Sequence, residues 1–220
     1  MLPDLSAQLI NLLASVMLIL SFAMLSQRRV WSLIFLYTLQ GETLVAATVL
    51  IGYTTHQPHL YYSALLTQLL KVMLIPMLLH RLVNHLNVRW DTETLINIPT
   101  TMMIGIVLVI FAFNLATPIS YLSASVARGT LGIALACVLL SFMMMITRSK
   151  AVPQVIGFLS MENSLFFAAT TAVYGMPMMV ELGIALDVLI GILILGVFMF
   201  QIRERFDSLD ISHLEKLKED

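Results

Sequence analysis

Residues Tyr61–His80 have the sequence YYSALLTQLLKVMLIPMLLH, which is close to the roughly 20 apolar residues that one transmembrane helix needs. Lys71 is the only Lys, Arg, Asp or Glu in this stretch and lies near its centre. A lysine at mid-membrane costs about 2.5–3.5 kcal/mol on insertion scales, so it needs a specific reason to be there. Because Pro76 cannot donate a hydrogen bond to the Val72 carbonyl, we expect an irregular helix beside this lysine.

The rest of the chain has a similar composition. Of its 220 residues, 59% are hydrophobic and 11% are charged, and the mean hydropathy is +0.93. Soluble domains are about 45–50% apolar and about 25% charged, so this composition excludes an ordinary water-soluble domain. We predict an all-α polytopic membrane protein with seven transmembrane helices. The predicted spans are Leu5–Leu25, Val30–Gly52, Tyr61–His80, Ile98–Ala116, Thr130–Ile146, Pro153–Tyr174 and Met178–Gln201.

The cations of the chain predict its orientation. Of the 12 Lys and Arg residues, Lys71 lies inside a span and Arg128 alone follows an even-numbered span. The remaining ten follow the odd-numbered spans: Arg28, Arg29, Arg81, Arg89, Arg148, Lys150, Arg203, Arg205, Lys216 and Lys218. Cytoplasmic loops carry an excess of Lys and Arg, so we expect the N-terminus outside and the C-terminus in the cytoplasm. The first span has Asp4 before it and arginines after it, which is the reverse of a signal peptide.

Four ionisable residues are predicted near mid-depth: Glu42, Lys71, Glu162 and Asp187. Such residues are rare in membranes and commonly mark proton or ion pathways. The functional interpretation is a lateral row of protonatable groups, with Lys71 and Glu42 as one coupled pair and Glu162 and Asp187 as the other. The alternative is that these charges face inward and only hold the helices together.

The chain also contains an internal repeat. Spans one to three and five to seven share one order: an apolar helix, a basic turn, a helix with a central Glu, and a helix with a central charge. Because span four restores the same orientation, the repeat is parallel. The predicted units are a three-helix repeat (1–86), a linking segment with the fourth helix (87–126), a second three-helix repeat (127–202) and a cytoplasmic tail (203–220).

The second repeat resembles a known family. Its basic turn at Arg148–Lys150, the residues Ile156-Gly157, Met161 and Asn163, and the sequence Asp187–Gly191 are similar to the NuoK-like (MrpC-like) subunit of complex I and Mrp antiporters. The first glutamate of that family aligns with Leu159, and Glu162 lies about one turn further along the same face. Over its whole length, the chain resembles the hydrogenase-4 component E (HyfE-like) subunits of group 4 membrane-bound [NiFe] hydrogenases and formate hydrogenlyases.

The resemblance implies a non-catalytic membrane subunit of an oxidoreductase complex that helps to couple electron transfer to proton or ion movement. It implies antiporter-like membrane subunits, a membrane anchor and a peripheral arm with Ni–Fe and iron–sulfur clusters as partners, in the inner membrane of a prokaryote. This chain is expected to hold no metal or cofactor itself and to bind no nucleic acid. A subunit of a Mrp-type antiporter, a free-standing secondary transporter and a purely structural or assembly subunit remain as alternatives.

Overall fold

A computed structural model of the protein describes residues 2–85, 95–120 and 127–173. Every regular element within these ranges is helical, as the composition predicts. In chain order the elements are α1 (Leu2–Ser26), α2 (Val30–Thr55), α3 (His59–Thr67), a π-helix (Gln68–Leu74), α4 (Ile75–His85), α5 (Ile98–Ser120), α6 (Ala127–Thr147) and α7 (Ala151–Val173).

The described residues contain six stretches that are long and apolar enough to cross a membrane. They correspond to the first six predicted spans, with α3, the π-helix and α4 together forming the third. The seventh predicted span, Met178–Gln201, lies outside the described residues. The structure therefore supports an all-α protein with six candidate spans, while the seventh helix, the repeat, the division into units and the orientation stay predictions.

The irregularity expected beside Pro76 takes the form of the π-helix. In a π-helix each backbone amide donates to the carbonyl five residues before it. Here the amide of Ile75 donates to the carbonyl of Leu70. Pro76 follows directly and has no N–H with which to resume an α-helical bond to Val72. Short π-helical segments are rare and frequently occur at functional sites. Here the segment carries Lys71 at the centre of the span.

The helices pack so that α2 and α7 are neighbours, although more than 90 residues separate them in sequence. Helix α1 packs against α2, α5 and α6, and α6 packs against both α5 and α7. Helix α5 is the least buried candidate span, with only 17% of its most apolar window inside the bundle. Its outward face is apolar, with Met103, Val107 and Phe111 exposed, as suits a surface in contact with lipid.

Two apolar layers lie above and below the middle of the bundle. The first, at the end where α2 and α7 begin, includes Val30, Leu33, Ile34, Leu79, Val152 and Ile156. The second, on the other side of the midpoint, includes Met17, Leu44, Ala47, Cys137 and Phe167. Between these layers lie several buried polar side chains, including Gln40, Glu162 and Asn163.

Arg148, in the turn between α6 and α7, is also buried. Its guanidinium Nη2 donates to the carbonyls of Met24 and Leu25 at 3.2 and 2.9 Å, at the C-terminal end of α1. Helix C-termini leave carbonyls without intrahelical partners and carry partial negative charge, so a cation here completes the helix end. Burial lowers the pKa of Arg148 to about 10. Sequence analysis identified this arginine only as a cation of a basic turn.

Candidate functional site

The centre of the site is an ion pair between the third span and α7. The ammonium Nζ of Lys71 lies 2.8 Å from Oε1 of Glu162. Both residues are buried, with exposed fractions of 4% and 9%. The same ammonium lies 5.0 Å above the ring of Phe166, one turn after Glu162 on α7. A desolvated cation over an aromatic face gains further electrostatic stabilisation.

Glu42 and Gln68 extend this site to the surface of the bundle. The side-chain amide of Gln68 donates a 2.9 Å hydrogen bond to Oε1 of Glu42. Gln68 precedes Lys71 by three residues in the π-helix, and Glu42 is the middle residue of α2. Glu42 itself is exposed. The π-helix therefore carries two polar contacts, one with the exposed carboxylate on α2 and one with the buried carboxylate on α7.

The structure describes three of the four predicted site residues. Glu42, Lys71 and Glu162 each lie near the midpoint of their helical spans, and the structure brings all three to one region. The pairing differs from the prediction, because Lys71 contacts Glu162 and Glu42 is held by Gln68. Asp187 lies outside the described residues. Its predicted role, and the proposed role of all four residues in moving ions, stay predictions.

Two further residues belong to this region. Tyr37 on α2 and Asn163 on α7 have no measurable exposure, and Tyr37 packs in the same cluster as Leu159, one turn before Asn163 on α7. From the sequence, Asn163 was identified only as part of a family motif, and Tyr37 was not identified. The available signal was residue type: a tyrosine inside a predicted span carries a hydroxyl that needs a partner when it is buried.

Buried hydroxyl and amide groups continue the polar layer between the helices. The hydroxyls of Ser141 on α6 and Ser160 on α7 lie 2.7 Å apart. The amide of Gln40 on α2 donates to the hydroxyl of Ser21 on α1 at 3.1 Å. These two bonds link α6 to α7 and α2 to α1, near the level of the ion pair.

Chemically, the arrangement provides two carboxylates and one amine with polar side chains between them. These are groups that can hold or pass a proton, and an apolar layer of the bundle lies on either side of them. Among residues 2–85, 95–120 and 127–173, no group of three or more His, Cys, Asp or Glu side chains could hold a metal ion.

The sequence is similar over nearly its full length to chains of two different names. It is 28% identical over 212 residues to "Uncharacterized protein Rv0085" from Mycobacterium tuberculosis, covering 96% of both chains. It is 22% identical over 215 residues to hydrogenase-4 component E from Escherichia coli K12 and from Shigella flexneri, covering 96% of this chain and 98% of each relative. No protein-family model and no solved structure matches the chain.

Proposed function

We propose that this protein is a non-catalytic membrane subunit of a complex-I-like, membrane-bound hydrogenase of the formate hydrogenlyase type, in the inner membrane of a prokaryote. The distant, full-length similarity to hydrogenase-4 component E supports this assignment. In this proposal the redox chemistry takes place on Ni–Fe and iron–sulfur clusters in partner chains. The present chain contributes mid-membrane charges that couple electron transfer to proton or ion movement.

One observation carries the coupling role: two polar contacts lie near mid-span, Gln68 with Glu42 at 2.9 Å and Lys71 with Glu162 at 2.8 Å. Together they involve side chains from α2, the π-helix and α7. A lateral row of this kind suits proton transfer along the membrane plane. Asp187, in the predicted seventh span, would extend the row, as the NuoK-like and MrpC-like resemblance of the second repeat implies.

The exposure of Glu42 supports the proposal of membrane partners. A carboxylate at the middle of a span is costly against hydrocarbon, so this face of α2 needs a protein cover or water. An antiporter-like subunit that offers a basic or polar group at this depth would cover the Glu42 carboxylate. The membrane anchor and the peripheral hydrogenase arm would attach elsewhere in the complex.

A purely structural role is the second candidate, favoured by the close, buried contact of Lys71 with Glu162. An inward-facing ion pair can hold helices together without exchanging protons. The two candidates predict different outcomes for the same variants, because one requires titration of these residues and the other requires only their contact.

The test uses the whole complex in sealed membrane vesicles, with Lys71→Ala and Asp187→Asn as the variants. Ion movement per hydrogen turnover and the subunit composition of the purified complex are both measured. We expect ion movement to fall to the level of an uncoupled membrane while all subunits still co-purify. Full coupling in both variants refutes the relay, and loss of subunits supports the structural role. Arg81→Ala, which removes an exposed cation at the end of the third span, is the matched control.

A further inference from the structure

A group of buried polar atoms lies beside the Lys71–Glu162 ion pair without satisfactory hydrogen bonds. These atoms are the Tyr37 hydroxyl, Gln40 Oε1, Glu162 Oε2 and both side-chain polar atoms of Asn163. Tyr37, Gln40 and Asn163 all have an exposed fraction of 0%. Leaving a buried polar group unpaired costs about 1–3 kcal/mol, so a concentration of such atoms needs an explanation.

These atoms share one location. Tyr37 and Gln40 are three residues apart and therefore lie on one face of α2. Glu162 and Asn163 are on α7, which packs against α2, and Tyr37 packs in the same cluster as Leu159, one turn before both residues. Lys71 reaches the same point from the π-helix through its contact with Glu162.

Direct hydrogen bonds among these side chains do not satisfy the unpaired atoms well. Glu162 and Asn163 are consecutive on a helix, so their side chains diverge and cannot face each other. The acceptors Gln40 Oε1, Glu162 Oε2 and Asn163 Oδ1 lie on two different helices, and each needs a donor. A water molecule donates two hydrogen bonds and accepts two, and buried waters typically satisfy such groups with about three bonds each.

We propose that this point of the bundle, the hydration site, binds one or more structural water molecules between Tyr37, Asn163 and the Glu162 carboxylate. The two apolar layers of the bundle lie on either side of it, so the water is enclosed and does not exchange freely with either surface. The hydration site places water next to the ion pair, on the side that faces α2. This inference concerns where water binds and does not rest on the proposed function.

Radiolytic hydroxyl-radical footprinting of the intact complex tests the inference, because X-rays generate radicals from water already bound inside a protein. Tyr37 and Phe167 are both fully buried and both pack in apolar clusters, but Tyr37 carries a buried hydroxyl without a hydrogen-bond partner and Phe167 has no polar side-chain atom. We expect Tyr37 to be oxidised about tenfold faster than Phe167, since only Tyr37 contacts bound water. Equal rates at the two residues in the wild-type complex would overturn the inference.

A pair of asparagine variants adds a second readout. Asn163→Leu removes the amide that holds the water and is expected to reduce Tyr37 oxidation to the rate of Phe167. Asn114→Leu is the matched control, because Asn114 is exposed on α5 and bonds only its own helix at the Ile110 carbonyl. Unchanged Tyr37 oxidation in an assembled Asn163→Leu complex would contradict the inference. The oxidation rate of Tyr37 does not depend on turnover. The test of bound water and the test of ion coupling can therefore fail independently.

Discussion

Lys71 and Glu162 form a buried ion pair, 2.8 Å apart, between residues 91 positions apart in sequence. The pair joins the irregular third span to α7 at the middle of both helices. Removing two charges from water is expensive, and their attraction offsets that cost only while both are present. Each residue is therefore tolerated in its buried position only while the other is present.

The first prediction concerns this dependence. Glu162→Leu or Lys71→Met alone leaves one buried charge without its partner and should cost about 3–5 kcal/mol of stability. The double variant Lys71→Met/Glu162→Leu removes both charges and should recover most of that loss. Thermal denaturation of the purified complex, analysed as a double-mutant cycle, measures the coupling. Additive losses would show that the two residues do not form a pair.

The second prediction concerns Arg148. Arg148→Ala removes two charge-assisted hydrogen bonds to the end of α1, each worth about 1.5–3 kcal/mol in net terms. We expect a clear loss of thermal stability and early proteolysis at the turn after α1. The exposed Arg81→Ala variant, which removes one cation of the same predicted side, should change stability by less than about 0.5 kcal/mol. Equal effects of the two variants would argue that only the charge matters.

The third prediction concerns the π-helix. Pro76→Ala restores an N–H that can bond the Val72 carbonyl, so the segment can convert to a regular α-helix. The conversion would turn Lys71 away from Glu162. We expect thermal stability to be unchanged or higher while ion movement per hydrogen turnover falls. Pro99→Ala, in the first turn of α5 where no N–H is needed, is the control and should leave both quantities unchanged. Normal coupling in a variant whose structure has lost the π-helix would contradict this role.

The fourth prediction concerns the exposed carboxylate of Glu42. Glu42→Leu should weaken the attachment of the neighbouring membrane subunit, because the partner's polar group then faces an apolar surface. Glu42→Gln should have a smaller effect, since an amide oxygen still accepts from Gln68. The fraction of intact complex after detergent extraction measures attachment, and Phe111→Leu on the exposed face of α5 is the control. If Glu42→Leu extracts as a complete complex, the partner does not bind this face.

Much of the fold could be predicted because its determinants are local. Span length follows from runs of apolar residues, and the position of Pro76 indicated where the third span would be irregular. The central depth of Glu42, Lys71 and Glu162 followed from counting residues at a fixed rise per residue. These predictions needed no knowledge of how the helices pack.

The pairing within the site could not be predicted in the same way. Which carboxylate Lys71 meets depends on the rotation of the third span, and the π-helix changes that rotation by adding residues to each turn. The role of Arg148 likewise depends on α1 ending beside the turn that follows α6. Tyr37 and Asn163 gained significance only when α2 and α7 were found to be neighbours.

Gln68 separates the two acidic parts of the site. A primary amide neither gains nor loses a proton at physiological pH, so its hydrogen bond orients the Glu42 carboxylate but transfers no proton to Lys71. In this conformation Glu42 is held by Gln68, while Lys71 and Glu162 hold each other. The two carboxylates therefore belong to two separate sets of contacts, one at the exposed surface of the bundle and one buried inside it.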